Sequence, residues 1–307
     1  MVNLLLAEPR GFCAGVCRAV MIVKDALQKY GAPVYVRHEI VHNRHVIQEL
    51  EEMGAIFINE LNEADISRPL IFSAHGVSVA VERQAQEKGF SVIIDATCPL
   101  VDKVHRQIRK YAANKMNIVV IGKAEHPEII GTVGQLNDIS KVQIIKSVED
   151  VDTLPFPIDE PIGFVTQTTL SVDETQEISM ALRQRYPQLS SFKNDDICFA
   201  TTNRQAAVKK IAEQSEVVIV VGSKNSSNSR QLREVALKAG AKSAYLIDDV
   251  SELPWEVLDT AENIGISAGA SAPEHLVAEL VGTLNLRYDN IKIHHVIIAK
   301  ENVKFKD

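Results

Sequence analysis

Short apolar runs and amphipathic segments alternate along most of the sequence, and this alternation is what most constrains the fold. Runs such as Ile118–Ile121 and Val217–Val221 contain only Val and Ile, as is typical of strands covered by helices on both faces. Between such runs, Val16–Tyr30 has apolar residues at helical spacing and is followed by Gly31, while Pro99 is suited to a first helical turn. The pattern predicts an α/β protein with largely parallel sheets.

The charge balance and the cysteine count exclude several classes of protein. With 33 Lys and Arg against 40 Asp and Glu, the net charge is −7, whereas nucleic-acid binding usually needs a basic face. No apolar run approaches the roughly 20 residues of a membrane-spanning helix, and the first residues do not resemble a secretory signal. Four Cys are too few for a disulfide scaffold. We therefore expect a cytoplasmic protein whose partners include no nucleic acid and no membrane.

Three Cys residues recur at matching places, each where a strand or extended run leads into a predicted helix. They end the segments Arg10–Cys13, Asp95–Cys98 and Asp195–Cys198, at intervals of 85 and 100 residues. Two polar loops follow each Cys in the same order, and the first of them contains His42, His126 or Ser226, which lie 28 or 29 residues after the Cys. The repeat predicts three similar α/β units, with chance similarity among strand-to-helix loops as the alternative.

The repeat also predicts where the domains begin and end. We place the first domain, which includes the N-terminal strand, at residues 1–96, the second at 97–194 and the third at 195–282, followed by a C-terminal tail at 283–307. Ligands of open α/β sheets bind outside the carboxyl ends of the strands. Loops from three units can meet there only in a pseudo-three-fold arrangement with one central site, which is the arrangement we expect.

Cys13, Cys98 and Cys198 would then supply three thiolates with a fourth metal position open. Such a set fits a Cys₃ zinc site that holds a water, or an iron–sulfur cluster with one iron that has no protein ligand. The alternative is that each Cys is a small buried hydrophobe. Cys17 lies inside a predicted helix, four residues after Cys13, and we interpret it as structural.

The polar loops of the repeat have the composition of an anion site. Helix N-termini and glycines (Gly76, Gly222 and Gly269) would let main-chain N–H groups approach a phosphate closely. A phosphate or diphosphate fits these donors better than a neutral ligand, although Ser, Thr and Asn also serve as ordinary helix N-caps. The candidate donors are His42, His75, His126, Thr168, Ser226, Ser227, Asn228 and Ser271.

Glu128 follows His126-Pro127 at a predicted helix start. One interpretation is an acidic residue that complements the helix dipole. The other is a proton donor, because a carboxyl beside an apolar substrate and anionic phosphates has a raised pKa. The nearby Glu125 is interpreted as an ordinary solvated residue.

These residues lie in motifs that together resemble one family, the 4-hydroxy-3-methylbut-2-enyl diphosphate reductases of the methylerythritol phosphate route to isoprenoids. The matching segments extend from near residue 10 to near residue 275 and cover nearly the whole chain. They are Gly11–Val16, Glu39–Asn43, Ser73–Ser78, Asp95–Pro99, His126–Glu128, Thr166–Ser171, Asp196–Gln205, Gly222–Ser229 and Gly269–Pro273. The one departure is Cys17, where many members of the family have an acidic residue.

The resemblance implies a trefoil of three α/β domains around a central iron–sulfur site. It implies one [4Fe-4S] cluster per chain, with Cys13, Cys98 and Cys198 as ligands and the unique iron open to the substrate hydroxyl. It also implies that the polar loops hold the diphosphate and that Glu128 delivers protons. The implied reaction is reductive removal of a hydroxyl as water, which gives isopentenyl and dimethylallyl diphosphates.

Two other functions remain open from the residues alone. One is a zinc-dependent hydrolase or lyase that acts on a phosphorylated substrate, and the other is a non-catalytic redox sensor or phosphate-binding module. No GxGxxG or flavin fingerprint is present in the sequence. We therefore expect an external electron donor such as a flavodoxin or a ferredoxin, as the resemblance also implies.

Overall fold

The computed structural model describes residues 1–190 and 196–305, and strands and helices alternate along these residues. The strands are β1 Val2–Glu8, β2 Val34–Arg37, β3 Ala55–Ile58, β4 Leu70–Phe72, β5 Ile93–Asp95, β6 Asn117–Ile121, β7 Val142–Ile145, β8 Ile162–Thr166, β9 Leu189–Ser190, β10 Val217–Val221, β11 Ser243–Ile247, β12 Asn263–Ala268 and β13 Ile291–Ile297. The α-helices are α1 Ala14–Tyr30, α2 Arg44–Glu52, α3 Val79–Lys88, α4 Pro99–Ala113, α5 Pro127–Val133, α6 Val148–Asp152, α7 Val172–Arg185, α8 Phe199–Ala212, α9 Ser227–Lys238, α10 Trp255–Leu258 and α11 Glu274–Arg287.

The strands form three sheets, in the orders β3-β2-β4-β5, β7-β6-β8-β9 and β11-β10-β12-β1-β13. Every pairing between these strands is parallel. Parallel neighbours need crossover connections, and helices supply most of them here. The α/β class with parallel sheets that the sequence predicts is therefore confirmed.

Apolar side chains cover both faces of the five-stranded sheet. Leu4 and Leu6 of β1 pack in one buried cluster with Ile219 of β10. Leu5 packs on the opposite face, in a second cluster with Val218. Since successive side chains of a strand point to opposite faces, an unbroken apolar run is what a sheet buried on both sides requires.

The predicted helix boundaries that depend on special residues are also confirmed. Gly31 ends α1 with φ +71°, and its N–H donates to the Leu27 carbonyl at 2.9 Å. Glycine adopts this left-handed conformation without steric cost. Pro99 is the first residue of α4, where a missing N–H removes no helical hydrogen bond.

The N-terminal strand does not join the sheet of the predicted first domain. β1 lies between β12 and β13 in the five-stranded sheet, and β13 belongs to the segment that we expected to be a tail. Because Leu4–Ala7 are buried on both faces, the strand fits a central position with neighbours on both edges. The domain boundaries themselves stay predictions, and residues 194 and 195 lie outside the described residues.

The chain divides into two compact units. Unit 1 comprises Met1–Cys17, His42–Gln48 and Cys198–Lys306, and contains the five-stranded sheet. Unit 2 comprises Arg18–Val41 and Glu49–Ile197, and contains both four-stranded sheets. No helix within residues 1–190 and 196–305 is long and apolar enough to cross a membrane.

Candidate functional site

Each of the three predicted metal-binding Cys residues stands directly before a helix. Cys13 precedes α1, and Cys98 and Cys198 are the N-cap residues of α4 and α8. The Cys198 sulfur accepts the main-chain N–H of Thr201 at 3.4 Å. The positive end of a helix dipole stabilises a thiolate, which is the metal-binding form of Cys. The local structure therefore suits all three residues as soft metal ligands.

In unit 1, hydrogen bonds connect the Cys13 loop to the start of α8. The Cys13 N–H donates to the Ala270 carbonyl at 3.1 Å. Arg204 of α8 donates to the Gly11 carbonyl through Nη2 at 2.7 Å and through Nε at 3.0 Å. This places the Cys13 loop and α8, the helix that begins directly after Cys198, in one hydrogen-bonded group.

In unit 2, Cys98 lies beside the loop that carries His75. The Cys98 N–H donates to the Ala74 carbonyl at 3.0 Å, and Ala96 donates to Phe72 at 3.1 Å. The loop after β5 therefore runs alongside the loop after β4. Both loops are at the carboxyl ends of parallel strands, where ligands of α/β sheets bind.

Cys17 lies one helical turn after Cys13, and its N–H donates to the Cys13 carbonyl at 2.9 Å. Burial, and then the neighbouring Cys13, raise the pKa of the Cys17 thiol. All four Cys are in the described part of the chain, and none forms a disulfide there. Among residues 1–190 and 196–305, no group of three or more His, Cys, Asp or Glu could hold a metal ion.

Glu128 is a buried carboxyl held by Thr168. The side chain of Glu128 is in the first turn of α5 and is 2% exposed. The Thr168 N–H donates to Oε1 of Glu128 at 2.6 Å, and the Thr168 hydroxyl donates to Oε2 at 2.9 Å. Burial raises the pKa of Glu128 to about 7, although both hydrogen bonds favour the ionised form and lower it. A carboxyl with this pKa can exchange a proton near neutral pH.

His75 and His126 are neighbours in unit 2. Their ring centroids are 5.8 Å apart, in an edge-to-face arrangement. His126 is the N-cap of α5, and its Nδ1 accepts the Glu128 N–H at 3.2 Å. The structure therefore brings together four predicted site residues, namely His75, His126, Glu128 and Thr168, on the loops after β4, β6 and β8.

Ser226, Ser227 and Asn228 lie at the start of α9 in unit 1. Ser226 is the N-cap residue and accepts the Ser229 N–H at 3.3 Å. Asn228 accepts the Ala270 N–H at 2.9 Å, which connects this helix to the loop of Ser271. The first N–H groups of a helix have no partner within the helix and can bind phosphate oxygens.

His42 and Ser271 are connected directly, since the Ser271 hydroxyl donates to the His42 carbonyl at 2.8 Å. The main chain after His42 also contacts the loop that precedes α9, because the Arg44 N–H donates to the Ser223 hydroxyl at 3.0 Å. Unit 1 thus brings together Cys13, Cys198, His42, Ser226, Ser227, Asn228 and Ser271. Unit 2 holds Cys98, His75, His126, Glu128 and Thr168.

The three glycines that we expect to let a ligand approach closely, Gly76, Gly222 and Gly269, are also required by packing within the protein. A Cβ on Gly269 or Gly222 would lie 2.0 Å or 2.3 Å from the Ser229 hydroxyl. Gly76 has φ +76°, and a Cβ there would lie 2.5 Å from the His105 ring. Contacts within the protein therefore already exclude larger residues at these positions.

Sequence reasoning did not identify three buried polar residues that hold the site loops. Arg204 contacts the Cys13 loop. Gln135 donates at 2.7 Å to the carbonyl of Val77, which lies two residues after His75. The His105 ring packs against Gly76, and burial lowers the pKa of His105 to about 4. The only sequence signal was that Arg204 falls inside the matching segment Asp196–Gln205.

Comparisons with known proteins agree over nearly the whole chain. The family model described as LytB protein matches residues 4–285. The 4-hydroxy-3-methylbut-2-enyl diphosphate reductase of Gluconobacter oxydans (strain 621H) is 51% identical over 309 residues, covering 99% of this chain and 91% of the relative. The enzyme of the same name from Cereibacter sphaeroides (strain ATCC 17029 / ATH 2.4.9) is 48% identical, covering 99% and 95%.

Solved structures of similar proteins have the same fold. The E-1-hydroxy-2-methyl-but-2-enyl-4-diphosphate reductase from Plasmodium falciparum superposes with a TM-score of 0.95 at 38% identity, covering 99% of this chain and 95% of that one. A structure of (E)-4-hydroxy-3-methyl-but-2-enyl diphosphate reductase, the terminal enzyme of the non-mevalonate pathway, gives a TM-score of 0.66 at 31% identity, covering 93% and 100%.

Proposed function

The chain belongs to the LytB protein family, and from this premise we propose which of its residues perform the reaction. The chain is an oxidoreductase of the methylerythritol phosphate pathway to isoprenoids. It catalyses reductive dehydroxylation of (E)-4-hydroxy-3-methylbut-2-enyl diphosphate to isopentenyl and dimethylallyl diphosphates. The reaction consumes two electrons and protons and releases water.

Glu128 is the proton donor, and the observation that carries this assignment is its burial with a pKa of about 7. Hydroxide is a poor leaving group, so the hydroxyl must gain a proton as it leaves. An ordinary exposed Glu would be ionised at neutral pH and could not supply that proton. Burial keeps a substantial fraction of Glu128 protonated under the same conditions, as a general acid requires.

Thr168 connects Glu128 to the substrate. Its hydroxyl lies 2.9 Å from Oε2 of Glu128 and donates to the ionised carboxylate. When Glu128 is protonated this hydrogen bond reverses, and the hydroxyl can give its own proton to the substrate as it accepts the proton of Glu128. The Thr168 N–H, 2.6 Å from Oε1, holds the carboxyl in a single orientation. Thr168 therefore serves both as a diphosphate or substrate contact and as the first group to which Glu128 can pass a proton.

The diphosphate is bound by side chains, several of which lie at two helix starts. Ser226 lies at the start of α9, and His126 lies at the start of α5. The positive ends of the helix dipoles at these two places favour negative charge. The binding side chains are His42, His75, His126, Thr168, Ser226, Ser227, Asn228 and Ser271.

A [4Fe-4S] cluster is the group that Cys13, Cys98 and Cys198 would hold. The three soft sulfur donors, each at the start of a helix, fit an iron–sulfur group. When bound, the cluster supplies electrons and a Lewis-acidic iron that lacks a protein ligand. The protein contributes the thiolates, the placement of the substrate and the proton.

The electrons come from an external protein, such as a flavodoxin or a ferredoxin, because no nicotinamide or flavin fingerprint is present in the sequence. We propose the cytoplasm as the compartment. A protein that uses three thiolates for an iron–sulfur group requires reducing surroundings, in which thiols do not become disulfides.

Variants of Glu128 test the proton-donor assignment. In anaerobically reconstituted protein, Glu128→Gln should lower turnover by about 100-fold or more, since general acid catalysis typically contributes 10²–10⁴-fold. The iron content should not change. Glu125→Gln, which alters an exposed carboxyl of the same loop, is the control and should turn over normally. Normal turnover by Glu128→Gln would refute the assignment.

Metal analysis tests the cofactor. Anaerobically purified protein should be brown and contain about four irons per chain, as a [4Fe-4S] cluster requires. Zinc in place of iron would favour a hydrolase or lyase with a Cys₃ site. A colourless, iron-free protein with full reductase activity would contradict the cluster.

A further inference from the structure

Arg204 is a buried cation that contacts the main chain beside two of the proposed cluster ligands. Its side chain is 1% exposed. The guanidinium donates to the Gly11 carbonyl at 2.7 and 3.0 Å and to the Phe12 carbonyl at 3.3 Å. These two residues directly precede Cys13. Nη1 of Arg204 also donates to the carbonyl of Ala200, two residues after Cys198, at 2.9 Å. One planar group thus contacts the Cys13 loop and the first turn of α8, the helix that begins directly after Cys198.

Glu301 supplies the counter-charge of this guanidinium. Both carboxylate oxygens of Glu301 lie 3.1 Å from Nη1 of Arg204. Asn203 donates to Oε1 of Glu301 at 3.0 Å, so the carboxylate has a second partner. Burying a cation without a counter-charge is costly. Glu301 therefore stabilises Arg204 in its buried position and orients it.

The strand β13 determines where Glu301 lies. β13 pairs with β1 over seven residues, from Val2 with Ile291 to Glu8 with Ile297. Ile298 N–H continues this ladder to the Glu8 carbonyl at 2.9 Å. Since β1 leads directly into the Cys13 loop, the C-terminal segment is attached to the same strand that positions Cys13.

We propose that Glu301 and Arg204 form a clamp that positions Cys13 and Cys198 as cluster ligands and sets the charge close to the cluster. This inference rests on the proposed function, in which these Cys residues bind the cluster. Hydrogen-bonded groups behind a metal ligand orient it, and nearby charge sets the reduction potential of a cluster. Arg204 favours the reduced, more negative cluster, and the Glu301 carboxylate offsets part of that effect.

The test compares Glu301→Gln, Arg204→Lys and the control Glu213→Gln in full-length protein that is reconstituted anaerobically. Glu213 is a matched control, because it lies at the end of α8, the helix that carries Arg204. It forms an exposed ion pair with Lys210 at 2.9 Å. The measurements are the rate of cluster loss to a chelator, the electron paramagnetic resonance spectrum, the midpoint potential and the unfolding temperature.

The clamp predicts different results for the two test variants. Glu301→Gln should lose its cluster about tenfold or more faster than wild type, in line with changes behind metal ligands, and its midpoint potential should shift in the positive direction. Arg204→Lys keeps the charge but not the planar fork. It should therefore lose the cluster faster, with little positive shift. Glu213→Gln should match wild type.

Two outcomes in iron-containing protein would overturn the clamp. Glu301→Gln could match the control in cluster loss and midpoint potential. It could instead unfold at a lower temperature while its midpoint potential and its spectrum stay unchanged, as expected for a merely structural role.

If wild type binds no iron, the cluster assignment itself fails. The alkylation rates of Cys13 and Cys198 then decide the clamp separately, since Glu301→Gln should raise both rates and unchanged rates would refute it. If Arg204→Lys does not fold, Glu301→Gln alone decides.

Discussion

At Glu128, burial and hydrogen bonding act on one carboxyl in opposite directions. Two hydrogen bonds from Thr168 stabilise the ionised form, while removal from water destabilises it by a larger amount. The resulting pKa of about 7 suits proton transfer near neutral pH. The sequence indicated a carboxyl at a helix start. Only the contact with a residue 40 positions away, on the loop after another strand, shows how that carboxyl is held.

The raised pKa of Glu128 has a consequence for stability. An unfolded Glu titrates near 4.3, so between about 4 and about 7 the folded protein binds more protons than the unfolded chain. The free energy of unfolding should therefore fall as pH rises through this range. Glu128→Gln lacks this contribution and should gain stability relative to wild type between pH 5 and pH 8 in urea unfolding. A difference that does not change with pH would contradict the raised pKa.

Cys17 should be dispensable for iron binding. Although the residue as a whole is exposed, the protein removes its sulfur partly from water, and this desolvation and the neighbouring Cys13 raise the pKa of the thiol. At neutral pH Cys17 is therefore mainly the protonated thiol, a poor metal ligand. Cys17→Ser should keep the iron content and turnover of wild type, whereas Cys198→Ser should lose iron. Loss of iron in Cys17→Ser, measured by metal analysis, would show that Cys17 is a ligand.

At the scale of elements, α5 and the loop after β4 are joined by Gln135. Its Nε2 donates to the Val77 carbonyl at 2.7 Å and to the Gly131 carbonyl at 3.4 Å, and its Oε1 accepts from Arg109. Gly131 packs closely as well, since a Cβ there would lie 3.1 Å from the Gly76 carbonyl. The Gln135 amide and the close packing of Gly131 therefore hold α5, the helix of Glu128, next to the loop of His75.

Gln135→Ala should remove these hydrogen bonds and leave a buried carbonyl without a donor. We expect a loss of about 1–3 kcal/mol in the free energy of unfolding, the usual cost of an unsatisfied buried polar group, together with lower turnover because the His75 loop shifts. Gln184→Ala, at an exposed position of α7, is the control and should stay within about 0.5 kcal/mol of wild type. Equal stability of the two variants in urea unfolding would contradict the prediction.

At the scale of the whole molecule, the two ends of the chain lie in one sheet. β1 has β12 on one edge and β13 on the other. The apolar run Leu4–Ala7 fits this central position, because its residues are buried on both faces. Both chain ends thus contribute to the sheet whose loops carry Cys13 and Ser271.

A chain truncated after Tyr288 should lose several kcal/mol of the free energy of unfolding. It lacks the ladder between β13 and β1, in which each main-chain hydrogen bond contributes about 0.5–1.5 kcal/mol net. The control is a chain that ends at Asn302, which keeps β13 and Glu301 and should unfold like the full chain. Thermal unfolding of the three chains is the measurement, and equal unfolding temperatures would refute the role of β13.

Features that depend on residues close together in the chain could be predicted from the amino-acid sequence alone. The alternation of apolar runs and helical periods predicted the parallel α/β class, Gly31 and Pro99 predicted helix ends, and the repeated loops predicted three Cys residues at helix starts. These predictions succeed because strand and helix periods, left-handed glycines and N-terminal prolines act over a few residues. The motifs also sufficed to indicate the family.

The contacts between distant segments could not be predicted from the sequence, and the folded chain shows them. Folding placed β1 between β12 and β13 and brought Thr168 onto Glu128. It also joined Glu301 to Arg204 across 97 positions and gave Gly222 and Gly269 a packing role against Ser229. Several partner strands would satisfy the apolar pattern of β1 equally well, so local preference cannot choose among them. That choice, and with it the burial that shifts the pKa of Glu128, follows from packing the whole chain into dense cores.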